Sequence, residues 1–179
     1  FSPLENGPHM HINLKKILQP VPNMWMLYIA TAAAFLLDQA SKAFVLLGLN
    51  LAQLGQIEVV PPYLNFRMAW NYGMNFGLFA QDSPMTRWIL IAVAMAIIGF
   101  VVIWIRCEHP RKIVILAAGL LIGGALGNVI DRALHGAVVD FLNMSCCGIN
   151  NPYAFNIADV EIFIGAVGMA IFGDQKNAT

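Results

Sequence analysis

Charge is what this chain has least of. Only 11% of its 179 residues are Asp, Glu, Lys or Arg, against 59% that are hydrophobic, and the mean hydropathy is +0.67. Ordinary soluble domains carry roughly 25% charged residues, so this chain has too little charge to cover a globular surface, and a typical soluble fold is excluded. Neither sign dominates. Ten basic residues balance ten acidic ones, which leaves no basic stripe or tail and excludes nucleic acid as a partner. The high hydrophobicity excludes disorder. Potential metal ligands are scarce as well: His9 and His11 sit near the start, and His109 and His135 lie far apart, so zinc hydrolysis is not expected and no metal or other cofactor is assigned. The length suits one domain, and that domain belongs in a membrane.

The first residues read FSPLENGPHM. Gly7-Pro8-His9-Met10 resembles the remnant of a cleaved expression tag, so residues 1–9 are set aside, Met10 is read as the native start, and residues 10–179 are expected to form a single integral membrane domain. Lys15 and Lys16 precede a hydrophobic stretch, but Pro20 and Pro22 interrupt it and no small-residue cleavage site follows. The segment from Met24 is therefore read as a retained helix.

A spanning helix needs about 20 mainly apolar residues, and four segments qualify: Met24 to Leu47, Trp88 to Ile105, Ile113 to Ile130, and Ile157 to Phe172. Lys and Arg favour the cytoplasmic side. Lys15 and Lys16, then Arg106, Arg111 and Lys112, then Lys176 all fall on one side of these spans, so both ends are expected in the cytoplasm. With that direction, Asp38 and Lys42 lie in the outer third of the first span, and Asn128, Asp131 and Arg132 at the outer end of the third. Asn156 and Asp159 open the fourth, and Asp140 is placed in the loop between. Four acids thus converge at the outer face, where an ionisable group is costly and calls for a function. In the long outer loop, Leu64, Phe66, Met68 and Trp70 alternate with more polar residues, the period of a strand with one apolar face.

Asp140 and Asp159 are the pair of interest. Two adjacent carboxylates cannot both ionise easily, so one can serve as general base on a water and the other as general acid. Spacing alone also allows each to cap a helix end. Asp38 and Lys42, four apart, can form an ion pair, with Lys42 either snorkelling to the interface or meeting a lipid headgroup. Asn128, Asp131 and Arg132 share a face suited to ordering neighbouring loops. Glu161 lies about 200° round the helix from Asp159 and is read as interfacial or inter-helix polar packing. Gly119, Gly123 and Gly127 are small-xxx-small repeats, a signal for close helix packing without chemistry. Ser41 and Lys42 are adjacent and do not face each other. A thiol nucleophile at Cys146 or Cys147 with His135 lacks anything to lower its pKa, and no disulfide framework is indicated.

Five motifs in order then carry a family resemblance: DQASK at Asp38 to Lys42, NYGMNFG at Asn71 to Gly77, GNVIDR at Gly127 to Arg132, VVDF at Val138 to Phe141, and FNIADVEIFIG at Phe155 to Gly165. The chain resembles the bacterial lipoprotein signal peptidases, or signal peptidase II. The resemblance implies an all-α membrane protein: four transmembrane helices with a small extracytoplasmic β-cradle and a periplasmic loop or half-helix. It makes Asp140 and Asp159 the catalytic dyad. Asn128, Arg132 and Asn156 then surround the substrate, and Asp38, Lys42, Asn71, Gly73, Asp131 and Ala158 are supporting or substrate-contacting positions. Met74-Asn75 departs from the small residues expected in the NYGMNFG loop. The implied substrate is a prolipoprotein whose lipobox Cys carries a diacylglyceryl group, cut just before that Cys. The implied setting is the bacterial inner membrane with the site at its outer face, membrane lipids as surroundings, and substrate-mimicking antibiotics as inhibitors. The competing class is a small four-span transporter or channel using the acids as an ion or proton site, which would place them near the midplane; a purely structural subunit would leave the acids unexplained.

Overall fold

The structure is a computed structural model that describes residues 23–73, 84–146 and 151–173. The tag-like residues 1–9, Met10, Lys15 and Lys16, the Met74 to Gly77 part of NYGMNFG, Cys147 and Lys176 lie outside the described residues.

Helix α1, Met24–Ala43, continues into a π-helical turn, Phe44–Gly48, and the short α2, Leu51–Leu54. Strands β1, Gln56–Val60, and β2, Leu64–Asn71, follow. Next come α3, Pro84–Glu108, α4, Lys112–His135, strand β3, Val138–Met144, and α5, Ile157–Phe172. Among the described residues, three helices are long and apolar enough to cross a membrane: Met24–Gly48, Met85–Glu108 and Lys112–His135. The 16 residues of α5 rise about 24 Å, short of the roughly 30 Å of a hydrocarbon core.

The central element is α4, mostly buried, with α1, α3 and α5 packed around it. Missing side chains on α4 permit this. A Cβ on Gly119 would run into Ala30, and one on Gly123 into Ala34 and the Thr31 carbonyl. On another face, Gly124 lies against the Ala158 carbonyl, while Gly165 of α5 lies against the Ala117 carbonyl. The pairing order shows that α1 runs parallel to α4 and α5 antiparallel to it. At the two ends of α3, Arg87 approaches Gly136 and Trp104 approaches Gly173, so α3 is also antiparallel. The carboxyl ends of α1 and α4 and the amino ends of α3 and α5 therefore meet at one end of the bundle.

A three-stranded antiparallel sheet in the order β1-β2-β3 stands at that end. The protein is thus mostly helical rather than all-α, and Asp140 sits on strand β3 rather than in a loop. A second core lies beneath the sheet, with Val45, Leu51, Val139 and Phe141 buried and Phe66 and Met68 packed on them. Phe66 meets Phe141 edge to face at 5.8 Å. The alternation read in the long loop is β2, with Phe66 and Met68 inward as expected. A register shift between Phe66 and Ala69 alters the pattern further on: Trp70 is exposed and stacks at a tilt on His135.

Candidate active site

Asp140 is 2% exposed. Its position follows from β3, a nearly fully buried strand whose neighbours Val139 and Phe141 enter the core beneath the sheet. The carboxylate turns towards the helices: Oδ1 accepts from Nδ2 of Asn156 at 2.6 Å and Oδ2 from Nδ2 of Asn71 at 3.0 Å. Asn71, the last residue of β2, also receives the Gly73 backbone N–H on its Oδ1 at 3.0 Å. Burial, and secondarily the charge on Asp159, pushes the Asp140 carboxyl up to about 6, against the opposing pull of the Asn71 and Asn156 hydrogen bonds and of Lys42.

Asp159 is placed by helix capping. Asn156 is the N-cap of α5; its Oδ1 accepts from the Asp159 backbone N–H at 2.9 Å, and Asp159 Oδ2 accepts from the Asn156 backbone N–H at 3.3 Å. This reciprocal box satisfies two otherwise open helix donors. The other oxygen, Oδ1, accepts from Nδ2 of Asn128 at 3.1 Å. Capping and membership of a carboxylate pair, the two readings open from spacing, thus coexist in Asp159. Asn156 belongs to both halves: its side-chain amide holds Asp140 and its backbone holds Asp159.

A second layer supports the first. Lys42 is 3% exposed and reaches neither the interface nor a headgroup. Its Nζ lies 2.7 Å from Asp38 Oδ2, 2.8 Å from Asp131 Oδ2 and 3.3 Å from Asn128 Oδ1. Asn128 Oδ1 also accepts from Asn156 Nδ2 at 3.3 Å, so Lys42 is linked to Asp159 through Asn128 and to Asp140 through Asn128 and Asn156. Asp38 Oδ1 accepts from the Ala158 backbone N–H at 3.1 Å and so pins α1 to the start of α5. Asp131 Oδ2 accepts from the Val139 backbone N–H at 3.2 Å and pins α4 to β3. Gly127 has a role beyond helix packing, because a Cβ there would strike the Asp38 carboxylate. Arg132 donates from Nη1 to the Asn128 carbonyl at 3.3 Å, while its buried Nε has no partner.

Of the residues singled out in the sequence, Asp38, Lys42, Asn71, Asn128, Asp131, Asp140, Asn156, Ala158 and Asp159 form one hydrogen-bonded cluster. Gly73 joins through Asn71 and Arg132 through the Asn128 carbonyl. Ser41 returns its hydroxyl to the Asp38 carbonyl at 2.7 Å, apart from Lys42. Sequence reasoning missed Gln39, whose Nε2 lies 3.1 Å from both Asp38 Oδ2 and Asp131 Oδ1; no periodicity points to it. Among the described residues, no group of three or more His, Cys, Asp or Glu is arranged to hold a metal ion.

The family described as Signal peptidase (SPase) II matches residues 30–173, which include every member of this cluster. The chain belongs to the signal peptidase II family. Curated relatives agree. A lipoprotein signal peptidase of Methylorubrum extorquens (strain PA1) is 41% identical over 80% of this chain and 82% of its own length. One of Alteromonas mediterranea is 40% identical over 82% of this chain and 81% of its own. Among solved structures, a bacterial membrane enzyme determined by the in meso method aligns with a TM-score of 0.70 and 26% identity, covering 86% of this chain and 96% of that one. Signal peptidase II is an aspartic-type hydrolase, and the chain is a multi-pass bacterial membrane enzyme.

Proposed function

We propose that the chain removes signal peptides from diacylglyceryl-modified prolipoproteins by hydrolysing the peptide bond before the lipidated Cys, with Asp140 and Asp159 as the dyad. The observation that carries this reading is the shared Asn156. Its side chain and backbone grip one carboxylate each, so a single residue holds two acids that come from different elements. Asp140, pushed up to about 6 by burial and by Asp159, suits a pair that shares one proton.

The ionised carboxylate takes a proton from the attacking water while the protonated partner donates to the carbonyl oxygen. The tetrahedral intermediate then collapses: its nitrogen takes the proton that the first carboxylate received from water, one of its hydroxyls returns a proton to the second, and the C–N bond breaks. The products are the signal peptide with a new carboxylate and the lipidated Cys with a free amine. Asn128, Arg132, Asn71, Gly73, Asn156 and Ala158 line or support the place the peptide occupies; Asp38, Lys42 and Asp131 hold that lining in register.

In this reading α5 is the fourth span, residues 10–179 are one peptidase domain, both ends lie in the cytoplasm, and the sheet is the extracytoplasmic cradle at the outer face of the inner membrane. Acyl chains remain between lipid-facing helices while the bond is presented at headgroup level, the place where a substrate-mimicking antibiotic would also lodge. The gathering of the acids at one end of the bundle argues against a midplane ion path. The test is cleavage by the full chain in proteoliposomes, using precursors with and without the diacylglyceryl group and with and without a metal chelator. The expected result is cleavage of the lipidated precursor alone, insensitive to the chelator. Equal cleavage of the unlipidated precursor, or loss of activity with the chelator, contradicts the reading.

A further inference from the structure

Among the described residues, Glu161 is the carboxyl beside the cluster that the mechanism leaves unused. It is 6% exposed, and both of its carboxyl oxygens are buried without a hydrogen-bond partner. It shares the buried face of α5 with Ala158 and Gly165, one turn deeper than Ala158, whose backbone N–H holds Asp38. A carboxylate anion in such a place, without a donor, carries a large desolvation cost; an uncharged acid avoids most of it.

The charges that face Glu161 come from α1: Asp38 and Lys42. From α4, Asp131 shares the Lys42 ammonium. On α5 itself, Asp159 points to the other side of the helix. Lys42 is a single ammonium already shared by two carboxylates, and its third contact, at 3.3 Å to Asn128, is its longest. That contact links Lys42 to Asp159 and Asn156. A third anion on this side would compete for the ammonium, and the longest bond would be the first to go.

We infer that Glu161 is a positioning residue that acts as an uncharged acid, leaving Lys42 bound to Asn128 and thereby keeping Asn128 aimed at Asp159. Ionised Glu161 draws Lys42 inward, frees the Asn128 amide and disorders the dyad's lining. The inference rests on the proposed dyad for its catalytic consequence, but the state of Glu161 itself is read without cleavage.

The experiment pairs infrared spectroscopy with pH–rate profiles on the purified full chain in lipid, comparing the wild type with E161Q and D140N. A protonated-carboxyl C=O band present at neutral pH, absent in E161Q and retained in D140N, is expected. The fall in kcat/KM that belongs to the dyad is expected to stay in place, while the permanently neutral E161Q side chain raises kcat of the substrate complex above neutrality by about threefold or more with KM unchanged. Absence of an E161Q-sensitive band at neutral pH, or an E161Q profile superimposable on that of the wild type, overturns the inference. Failure of the dyad reading would show instead as full cleavage by D140N, and would leave the infrared result standing.

Discussion

Asp140 keeps its carboxyl where ionisation is costly, and it does so because β3 is buried on both faces. Its ordinary value of 3.8 is pushed up to about 6, by burial first and by Asp159 second. Two consequences follow for pH. In catalysis, the pair holds one proton below about 6 and loses it above, so kcat/KM of the free enzyme should fall as pH rises through that range; a pH–rate profile that climbs there contradicts the assignment. In stability, the native state binds this proton more tightly than the unfolded chain, so the stabilisation is complete below about pH 4 and lost as pH rises through about 6. The proposed dyad was legible as residue types: Asp140 and Asp159 stand in ordered motifs, and membrane context makes each acid conspicuous. The wiring was not. Spacing allowed the Asp38–Lys42 pair, but the bond from Lys42 to Asp131 crosses 89 positions of sequence, and Gln39 completes the network from a position that helix geometry gives no reason to single out.

Among the elements, close helix approach and site geometry are one construction. Gly165 meets α4 backbone on both sides of the Ala117–Leu121 turn, so Gly165→Val must push α5 away, costing about 2 kcal/mol or more and lowering the melting temperature of the membrane-embedded protein. Gly127 meets a carboxylate rather than backbone. Gly127→Ala should therefore shift Asp38 and cut kcat by about 10- to 100-fold with a much smaller change in melting temperature. Equal thermal losses for the two variants would contradict this division. The long apolar helices were readable because a run of eighteen apolar residues in α3 has no other plausible home. β1 is short, and β3 is buried at almost every position, which removes the alternation that reveals a half-buried strand, and Asp140 and Asn143 break the apolar run that would mark a fully buried one. The ends of α4 ran beyond the apolar stretch, to His135, because Asp131 finds the Val139 N–H and Lys42, and Arg132 the Asn128 carbonyl, within the fold.

For the whole molecule, the scarcity of charge becomes a map. Arg106, Arg111 and Lys112 mark the end of the bundle opposite the acid cluster, and the proposed topology, which rests on the positive-inside tendency, has the cluster outside. In a chain with Cys146 and Cys147 replaced by serine, a membrane-impermeant thiol reagent should label Cys107 only when it has access to the cytoplasmic side, and a Tyr63→Cys site only from the outer side. Labelling of both from one side would refute the topology. The proposed mechanism activates one water between Asp140 and Asp159. Its most direct test is the rate of cleavage of a lipid-modified precursor by D140N and D159N, each reconstituted and shown by its melting transition to be folded. Each substitution should lower kcat by about 1,000-fold or more; a folded variant of either that cleaves at the wild-type rate would contradict the claim.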